Sequence, residues 1–201
     1  MKGNLYALAY AAVLGTVCAL LLTAAAAVTA PYRQANAEAE EVLNILRVLQ
    51  VPLQDDTSAR QLGEVFKSNV REEQRGDVAV YVYSPSADQG AIALRFAGPG
   101  LWGPIKGFLA LEPDMKTIRG VTFYEQEETP GLGGEIVSSA FREQFVGKSI
   151  VDQNGNPGIV ISSAGETAPN KVDAISGATM TCDKVQAMLN SAIGDILKEK
   201  N

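Results

Sequence analysis

The chain has 201 residues, of which 46% are hydrophobic, and a formal net charge of −6. It contains no histidine, which excludes a Ser-His-Asp triad, a Cys-His pair and an ordinary zinc enzyme site. The acidic balance argues against a nucleic-acid surface, which needs clustered lysine and arginine. Two cysteines are too few for a disulfide scaffold or an iron–sulfur cluster. Any demanding chemistry is therefore expected to come from a cofactor.

The N-terminal part is uncharged from Gly3 to Tyr32, and residues 5–28 are almost entirely apolar. About 20 helical residues cross the ~30 Å core of a bilayer, so this stretch predicts a membrane anchor. A cleaved signal peptide is the alternative, but the run is longer than the usual apolar region of roughly 7–15 residues. Lys2 on the short N-terminal side favours a cytoplasmic N-terminus. We expect a transmembrane anchor at residues 1–31 and one extracytoplasmic domain at residues 32–201.

After the anchor, the hydrophobic pattern changes from helical to strand-like and back. Helical spacing predicts a helix over residues 38–50, closed by Pro52, and a weaker one within the polar residues 55–76. A long helical pattern at the C-terminus predicts a helix capped by Thr179 or Thr181. The expected fold class is α+β: a single transmembrane helix, then one soluble domain of mostly antiparallel sheet flanked by helices. The predicted strands are residues 78–83, 91–96, 107–111 and 117–124, with turns at 84–90 and 112–114.

Three further segments interrupt these elements. Residues 98–104 carry the only tryptophan, Trp102, among glycines and prolines that stop regular structure. Residues 127–135 place three glycines and Leu132 just after a predicted strand, where they suit a flat ring. Residues 173–181 open the C-terminal helix, whose free N–H groups and positive dipole end favour a phosphate. The structural alternatives are a wide surface turn, a solvated flexible loop and a helix-capping turn.

The segment Ser176-Gly177-Ala178-Thr179, with Asp173 three residues upstream, resembles the flavinylation motif of the FMN-binding domain family. In that family a separate flavin transferase, with FAD as donor, joins FMN through its phosphate to the last threonine of the motif. The resemblance implies covalent FMN on Thr179 and a transferase that reads Asp173. The alternative for Asp173 is a side chain that caps the local turn.

The order of the segments extends the resemblance to two branches of the family. The chain contains, in order, an anchor, Gly-Leu-Trp, Glu-Thr-Pro-Gly-Leu-Gly-Gly-Glu and Ser-Gly-Ala-Thr. This order resembles that of two proteins: the C subunit of the Na+-translocating NADH:quinone oxidoreductase and the G subunit of the Rnf electron-transport complex. The chain resembles the former more closely in four segments: Gly100-Leu101-Trp102, Tyr124-Glu125-Gln126, Gly133-Gly134-Glu135 and Phe145-Val146-Gly147-Lys148. This implies an electron-relay subunit of a multisubunit, redox-driven ion pump in a bacterial inner membrane, with its soluble domain on the periplasmic face. Its expected partners are the other membrane subunits and, during maturation, the flavin transferase.

The resemblance also implies roles for individual residues. Trp102 is expected to stack on the flavin ring, with Leu132 packed nearby. Glu128 and Thr129 are expected to offer hydrogen-bonding groups to the flavin. No metal ligand and no catalytic residue beyond the cofactor is expected. The expected cofactor-binding residues are Thr179, Ser176, Gly177, Ala178, Asp173, Trp102, Glu128, Thr129, Gly131, Leu132 and Gly133.

Three alternatives to the quinone reductase interpretation stay open. The first is a protein like the Rnf G subunit, and the second is a free-standing flavinylated electron carrier. The third is a membrane-anchored binding module without a cofactor. For Cys182, we expect a packed small residue, the alternative being a thiol activated by the first turn of the helix.

Overall fold

The structure, a computed structural model, describes residues 2–54, 57–75, 78–85, 90–165 and 167–198. The chain forms two compact units, Met1–Ala39 and Glu40–Asn201. Within the predicted turn at 84–90, residues 86–89 lie outside the described residues. Residues 55, 56 and 76 of the predicted polar segment lie outside them as well.

The first helix, α1, runs from Lys2 to Val48 and contains Pro31. The prediction of two separate helices is therefore wrong. The proline removes a single backbone hydrogen bond, and the alanine-rich residues on both sides favour the helix. In the described part of the chain, α1 is the one helix long and apolar enough to cross a membrane.

The helix α1 is terminated by a backbone hydrogen bond rather than by a proline. The helix ends at Val48, before the predicted residue 50 and well short of Pro52. Gln50 adopts the left-handed conformation, with φ of 56°. This lets the Val51 N–H donate to the Leu46 carbonyl at 2.9 Å, the reversal that commonly closes a helix. Pro52 is therefore not what stops the helix.

Five strands form one antiparallel sheet in chain order, β1 to β5, which confirms the predicted α+β class. The strand β1 was not predicted, because its sequence Val-Arg-Glu-Glu-Gln-Arg has only one apolar residue. It forms an edge strand, where most side chains face solvent and apolar alternation is not required. The helix α2 precedes the sheet. The bounds are α2 Ala59–Asn69, β1 Val70–Arg75, β2 Val78–Tyr83, β3 Ala91–Pro99, β4 Pro104–Leu111 and β5 Ile118–Glu125.

The strands β3 and β4 extend into the segment predicted as an irregular loop, residues 98–104. Pro99 pairs with Pro104, so only residues 100–103 remain as a turn. The Gly100 N–H closes that turn on the Gly103 carbonyl at 2.7 Å. Prolines are tolerated here because they stand at the ends of their strands. Trp102 therefore lies in the four-residue turn of a hydrogen-bonded hairpin.

The sheet is covered on both faces. On one face, the C-terminal part of α1 and the helix α2 pack against side chains such as Tyr81 and Phe108. On the other, the helix α4, Thr179–Lys198, packs against side chains such as Val80 and Leu94. The segment between β5 and α4 contains short elements: 3-10 helices Gly133–Val137 and Glu143–Phe145, α3 Ser139–Arg142, and the parallel pair β6 Val160–Ser162 and β7 Lys171–Asp173.

The helix α4 begins at Thr179. The Cys182 N–H donates to the Ala178 carbonyl at 2.9 Å, which places Ala178 at the cap position. The prediction that Thr179 or Thr181 caps the helix is therefore wrong. Thr179 is instead the first residue inside the helix, and its side chain is free for another role.

Burial of both sheet faces predicts a contrast between two valines. Val80 is 0% exposed under α4, whereas Val160 on β6 is 42% exposed. The change Val80→Ala should lower the free energy of unfolding by about 2 kcal/mol, from two lost buried carbons and the cavity they leave. Val160→Ala should change it by less than about 0.5 kcal/mol. Urea unfolding of the full chain in detergent, followed by circular dichroism, measures both. Equal losses would contradict the assigned burial.

Candidate functional site

The three segments singled out in the sequence meet at one open cleft of about 370 Å³. A volume of roughly 300–1,000 Å³ is usual for small-molecule sites. One wall is the β3–β4 turn, the second is the glycine-rich loop after β5, and the third is the start of α4. The lining residues are Leu101, Trp102, Glu128, Thr129, Leu132, Gly133, Gly177, Ala178, Thr179, Met180 and Thr181.

One buried carboxylate joins all three walls. Glu128 is 5% exposed. Its Oε1 accepts the backbone N–H of Leu101 at 2.6 Å and that of Trp102 at 3.3 Å. Its Oε2 accepts the hydroxyl of Thr181, on α4, at 2.6 Å. Glu128 therefore fixes the tryptophan turn relative to the start of α4.

Two glycines make room for this carboxylate. A Cβ on Gly133 would lie 2.5 Å from the Thr181 hydroxyl and 2.7 Å from Oε2 of Glu128. A Cβ on Gly100 would lie 2.7 Å from the Gly103 carbonyl and would also collide with Oε1 of Glu128. Glycine at both positions is thus required for the close approach of three backbone segments.

Two further glycines supply turns that other residues rarely adopt. Gly131 has φ of 75°, within the loop after β5, and Gly177 also has φ of 75°, just before α4. Both values lie in the left-handed region, which favours glycine. A Cβ on Gly177 would lie 3.0 Å from Cδ2 of Leu132. The turn before α4 therefore lies directly against the glycine-rich loop.

The two threonines at the start of α4 have opposite environments. Thr181 is 2% exposed, and its hydroxyl is bonded to Glu128. Thr179 is exposed, lines the cleft and makes no side-chain hydrogen bond within the described residues. The first backbone bond of the helix starts at the Cys182 N–H, so the N–H groups of Thr179, Met180 and Thr181 have no acceptor within the helix and are available to an anion. Thr179 thus offers an accessible hydroxyl beside a favourable phosphate position.

The cleft has an apolar wall suited to a flat ring. Trp102 is 70% exposed, and Leu132 and Met180 are also exposed. Large exposed apolar side chains grouped at a cleft are typical of ligand sites. An aromatic ring system can stack on Trp102 while its phosphate lies at the start of α4. The residues present therefore fit FMN.

Asp173 lies outside the cleft, at the end of β7. Its side chain is exposed and makes no hydrogen bond to any residue that the structure describes. Its backbone N–H donates to Oε1 of Gln144 at 2.9 Å. The alternative in which the Asp173 carboxylate caps the turn is therefore wrong. The carboxylate is presented to solvent.

Cys182 is packed inside the domain. It is 1% exposed, and its sulfur accepts the Ile175 N–H at 3.4 Å. Burial raises the pKa of the Cys182 thiol, which opposes any lowering by the start of the helix. This agrees with a packed small residue.

Most of the expected site residues come together, and a few do not. Ser176, Asp173 and Gly131 do not line the cleft. Three lining residues were missed by the sequence reasoning: Leu101, Met180 and Thr181. Of these, Leu101 and Met180 directly adjoin expected residues in the chain. Thr181 is recognised as a site residue only by its hydrogen bond to Glu128, and nothing in the sequence indicates that bond.

Residues 100–194 match the family model described as the FMN-binding domain. This part of the chain is similar to that family. The match confirms the resemblance stated from the motif, and it confirms FMN as the expected cofactor. The matched range begins in the β3–β4 turn and ends within α4, so it contains all three walls of the cleft.

Similar proteins carry a more specific name. The chain is 41% identical over 119 residues to the C subunit of the Na(+)-translocating NADH-quinone reductase of Vibrio campbellii, covering 58% of this chain and 46% of that protein. It is 38% identical over 143 residues to the C subunit of the same reductase from Neisseria meningitidis serogroup B, covering 65% of this chain and 55% of that protein. The chain thus spans about half the length of these relatives.

Solved structures share the fold. The crystal structure of the C subunit of the Na(+)-translocating NADH-quinone reductase from Parabacteroides distasonis superimposes with a TM-score of 0.71 at 25% identity, covering 84% of this chain and 94% of that one. Shewanella oneidensis NqrC superimposes with a TM-score of 0.66 at 23% identity, covering 79% and 93%. Both support the assigned α+β architecture.

The hydrogen bonds of Glu128 predict that threonine-to-valine changes at positions 179 and 181 have different effects on stability. In the flavin-free chain, Thr181→Val removes a hydrogen bond to a buried carboxylate and should cost about 1–3 kcal/mol of unfolding free energy. Thr179→Val, on the exposed side of the same helical turn, should cost less than about 0.5 kcal/mol. Urea unfolding measures both. A loss at Thr179 as large as that at Thr181 would contradict the assignment.

The buried thiol predicts slow labelling of Cys182. In a Cys18→Ala background, Ellman's reagent at pH 8 should react at least about tenfold more slowly with the folded chain than in urea, because the thiol is covered and little thiolate forms. The native rate should rise with pH, since the raised pKa leaves the thiol protonated at pH 8. Equal rates in the folded and unfolded chains would show that Cys182 is accessible.

Proposed function

We propose that this chain is the FMN-carrying electron-relay subunit of a membrane-bound, ion-translocating NADH:quinone oxidoreductase, and that it corresponds to the C subunit of that complex. The observation that carries the proposal is the exposed hydroxyl of Thr179. It stands at the start of α4, in a Ser-Gly-Ala-Thr motif, in one cleft with Trp102 and the glycine-rich loop. The names of the similar proteins support assignment to the quinone reductase rather than to the Rnf branch or to a free-standing carrier.

In this proposal FMN supplies the redox chemistry, and the chain supplies position and electrostatics. The oxygen of Thr179 holds the phosphate through an ester, and the free N–H groups and dipole of α4 stabilise its charge. Trp102 would stack on the ring, and Leu132 would pack beside it. Thr129, exposed at the cleft, offers a hydroxyl to the bound group. The Glu128 carboxylate is engaged within the protein, so it acts by positioning these walls.

Attachment needs an external enzyme. A flavin transferase would use FAD as donor: the Thr179 oxygen bonds to the phosphorus of the FMN half, AMP leaves and the threonine proton is released. The exposed carboxylate of Asp173, which has no partner among the described residues, is available for the transferase to read. The exposed Ser176 and Gly177 complete a surface motif that another protein can reach.

The N-terminal helix would serve as a single-pass anchor in the inner membrane of a bacterium. We place the anchor at residues 1–31 and the FMN-binding domain, residues 32–201, on the periplasmic face. No charged residue occurs between Gly3 and Tyr32. Because ion pathways through membranes use polar or charged side chains, ion translocation is assigned to the partner membrane subunits.

Flavin attachment is the direct test. The full chain is co-expressed with a flavin transferase, separated on a denaturing gel and viewed under ultraviolet light. The wild type should fluoresce, and Thr179→Ala should be dark because it lacks the attachment oxygen. Thr181→Ala keeps the Thr179 oxygen and should still fluoresce, although it also removes the hydroxyl that binds Glu128. A dark wild type with active transferase would overturn the proposal and favour a binding module without a cofactor.

Asp173→Ala tests the recognition step separately. It should abolish the fluorescent band without changing the urea midpoint, because the side chain is exposed and makes no hydrogen bond or ion pair within the described residues. Full flavinylation of Asp173→Ala, or loss of its fold, would contradict the role assigned to this carboxylate.

A further inference from the structure

A second cavity, of about 180 Å³, lies on the domain away from the FMN cleft and shares no lining residue with it. It is formed by the end of α1, the strand β5 and the helix α3 with the residues that follow it. Three arginines line it, one from each of these elements: Arg47, Arg119 and Arg142. Its acidic lining residue is Glu143. Such a concentration of positive charge is unusual in a chain whose net charge is −6.

Arg142 has an unsatisfied buried donor. Its Nε is fully buried and has no hydrogen-bond acceptor among the described residues. The guanidinium also forms no ion pair with any residue that the structure describes. A buried cationic donor without a partner costs free energy, and in folded proteins it is normally satisfied. Arg142 lines the cavity, so an anion bound there would supply the negative charge that this cation lacks.

The other two arginines differ in their partners: Arg47 adds a free positive charge, whereas the charge of Arg119 is balanced by Glu112. Arg47, at the end of α1, is exposed and has no ion-pair partner in the described part of the chain. Arg119 binds Glu112 through two hydrogen bonds, at 2.6 and 3.1 Å, and donates to the Leu49 carbonyl at 3.3 Å. These contacts hold Arg119 in place, while Arg47 and Arg142 keep their donors for a ligand.

We propose that this cavity binds an oxyanion of the phosphate class, either free phosphate or the phosphate group of a small molecule. Guanidinium groups present planar forks of N–H donors that match phosphate oxygens. Ser139 also lines the cavity and can donate a hydroxyl. The volume exceeds that of one phosphate and leaves room for a small substituent. This site is separate from the place proposed for the phosphate of FMN at α4.

The test measures binding of inorganic phosphate to the full-length, flavinylated chain in detergent, by equilibrium dialysis with labelled phosphate at fixed ionic strength. Flavinylation occupies the α4 position, so the remaining binding reports on the arginine cavity. One phosphate per chain is expected. Arg142→Gln should weaken binding at least about tenfold, since it removes a charge-assisted donor. Arg47→Gln, which changes an exposed residue, should weaken it in the same direction without affecting the fold.

The control removes an equal charge elsewhere. Arg71 is exposed on β1, at the sheet edge opposite β5 and about 19 Å away by strand spacing. Arg71→Gln should leave phosphate affinity unchanged. Three results would overturn the proposal: no saturable binding, an equal loss in Arg71→Gln, or binding that occurs only in the Thr179→Ala chain and so belongs to α4.

Competition with other anions tests the class of ligand. Unlabelled sulfate should displace phosphate, whereas acetate at the same concentration should not. Displacement by acetate as strong as that by phosphate would show a carboxylate site and contradict the proposal. These measurements rest on the proposed attachment of FMN to Thr179 but not on electron transfer. The denaturing gel reports failure of attachment separately from failure of phosphate binding.

Discussion

The carboxylate of Glu128 is the constraint on which the cleft depends. It bonds to a turn 26 and 27 residues before it in the chain and to a helix 53 residues after it. Such a group is stable in the interior only when its oxygens are satisfied, so the three segments must come together as a set. The glycines at 100 and 133 follow from the same requirement, because any side chain there would displace the carboxylate or its partners.

The fold brings the three walls to one end of the sheet. The β3–β4 hairpin carries Trp102 at its tip, and β5 leads directly into the loop with Glu128. The helix α4 crosses the face of β3, where Gly98 admits it: a Cβ there would lie 2.7 Å from the sulfur of Met188. Thr179 and Trp102 line the same cleft. The rigid parts of the domain thus determine where a ring and its phosphate can lie.

Sequence patterns predicted the elements whose side chains repeat at a regular spacing. The strand β2 and the helix α4 follow from alternating or helical apolar positions. The motif ending at Thr179 indicated the FMN-binding domain family, whose model matches residues 100–194. The edge strand β1 could not be predicted, because its side chains are mostly exposed and polar. The continuous helix α1 was not predicted, since it contains Pro31, a residue that usually ends or kinks a helix. The hydrogen bond between Glu128 and Thr181 could not be predicted either, because it depends on tertiary packing alone. Local patterns record burial and backbone preference, whereas contacts between distant loops leave no periodic signal.

The most direct measurement of the central claim is peptide mass spectrometry on the chain matured with a flavin transferase. Trypsin should release residues 172–184, which contain Ser176, Thr179 and Thr181. The account predicts a mass increase equal to FMN less one water, with fragment ions placing it on Thr179. An unmodified peptide, or an adduct on Thr181 or Ser176, would contradict it.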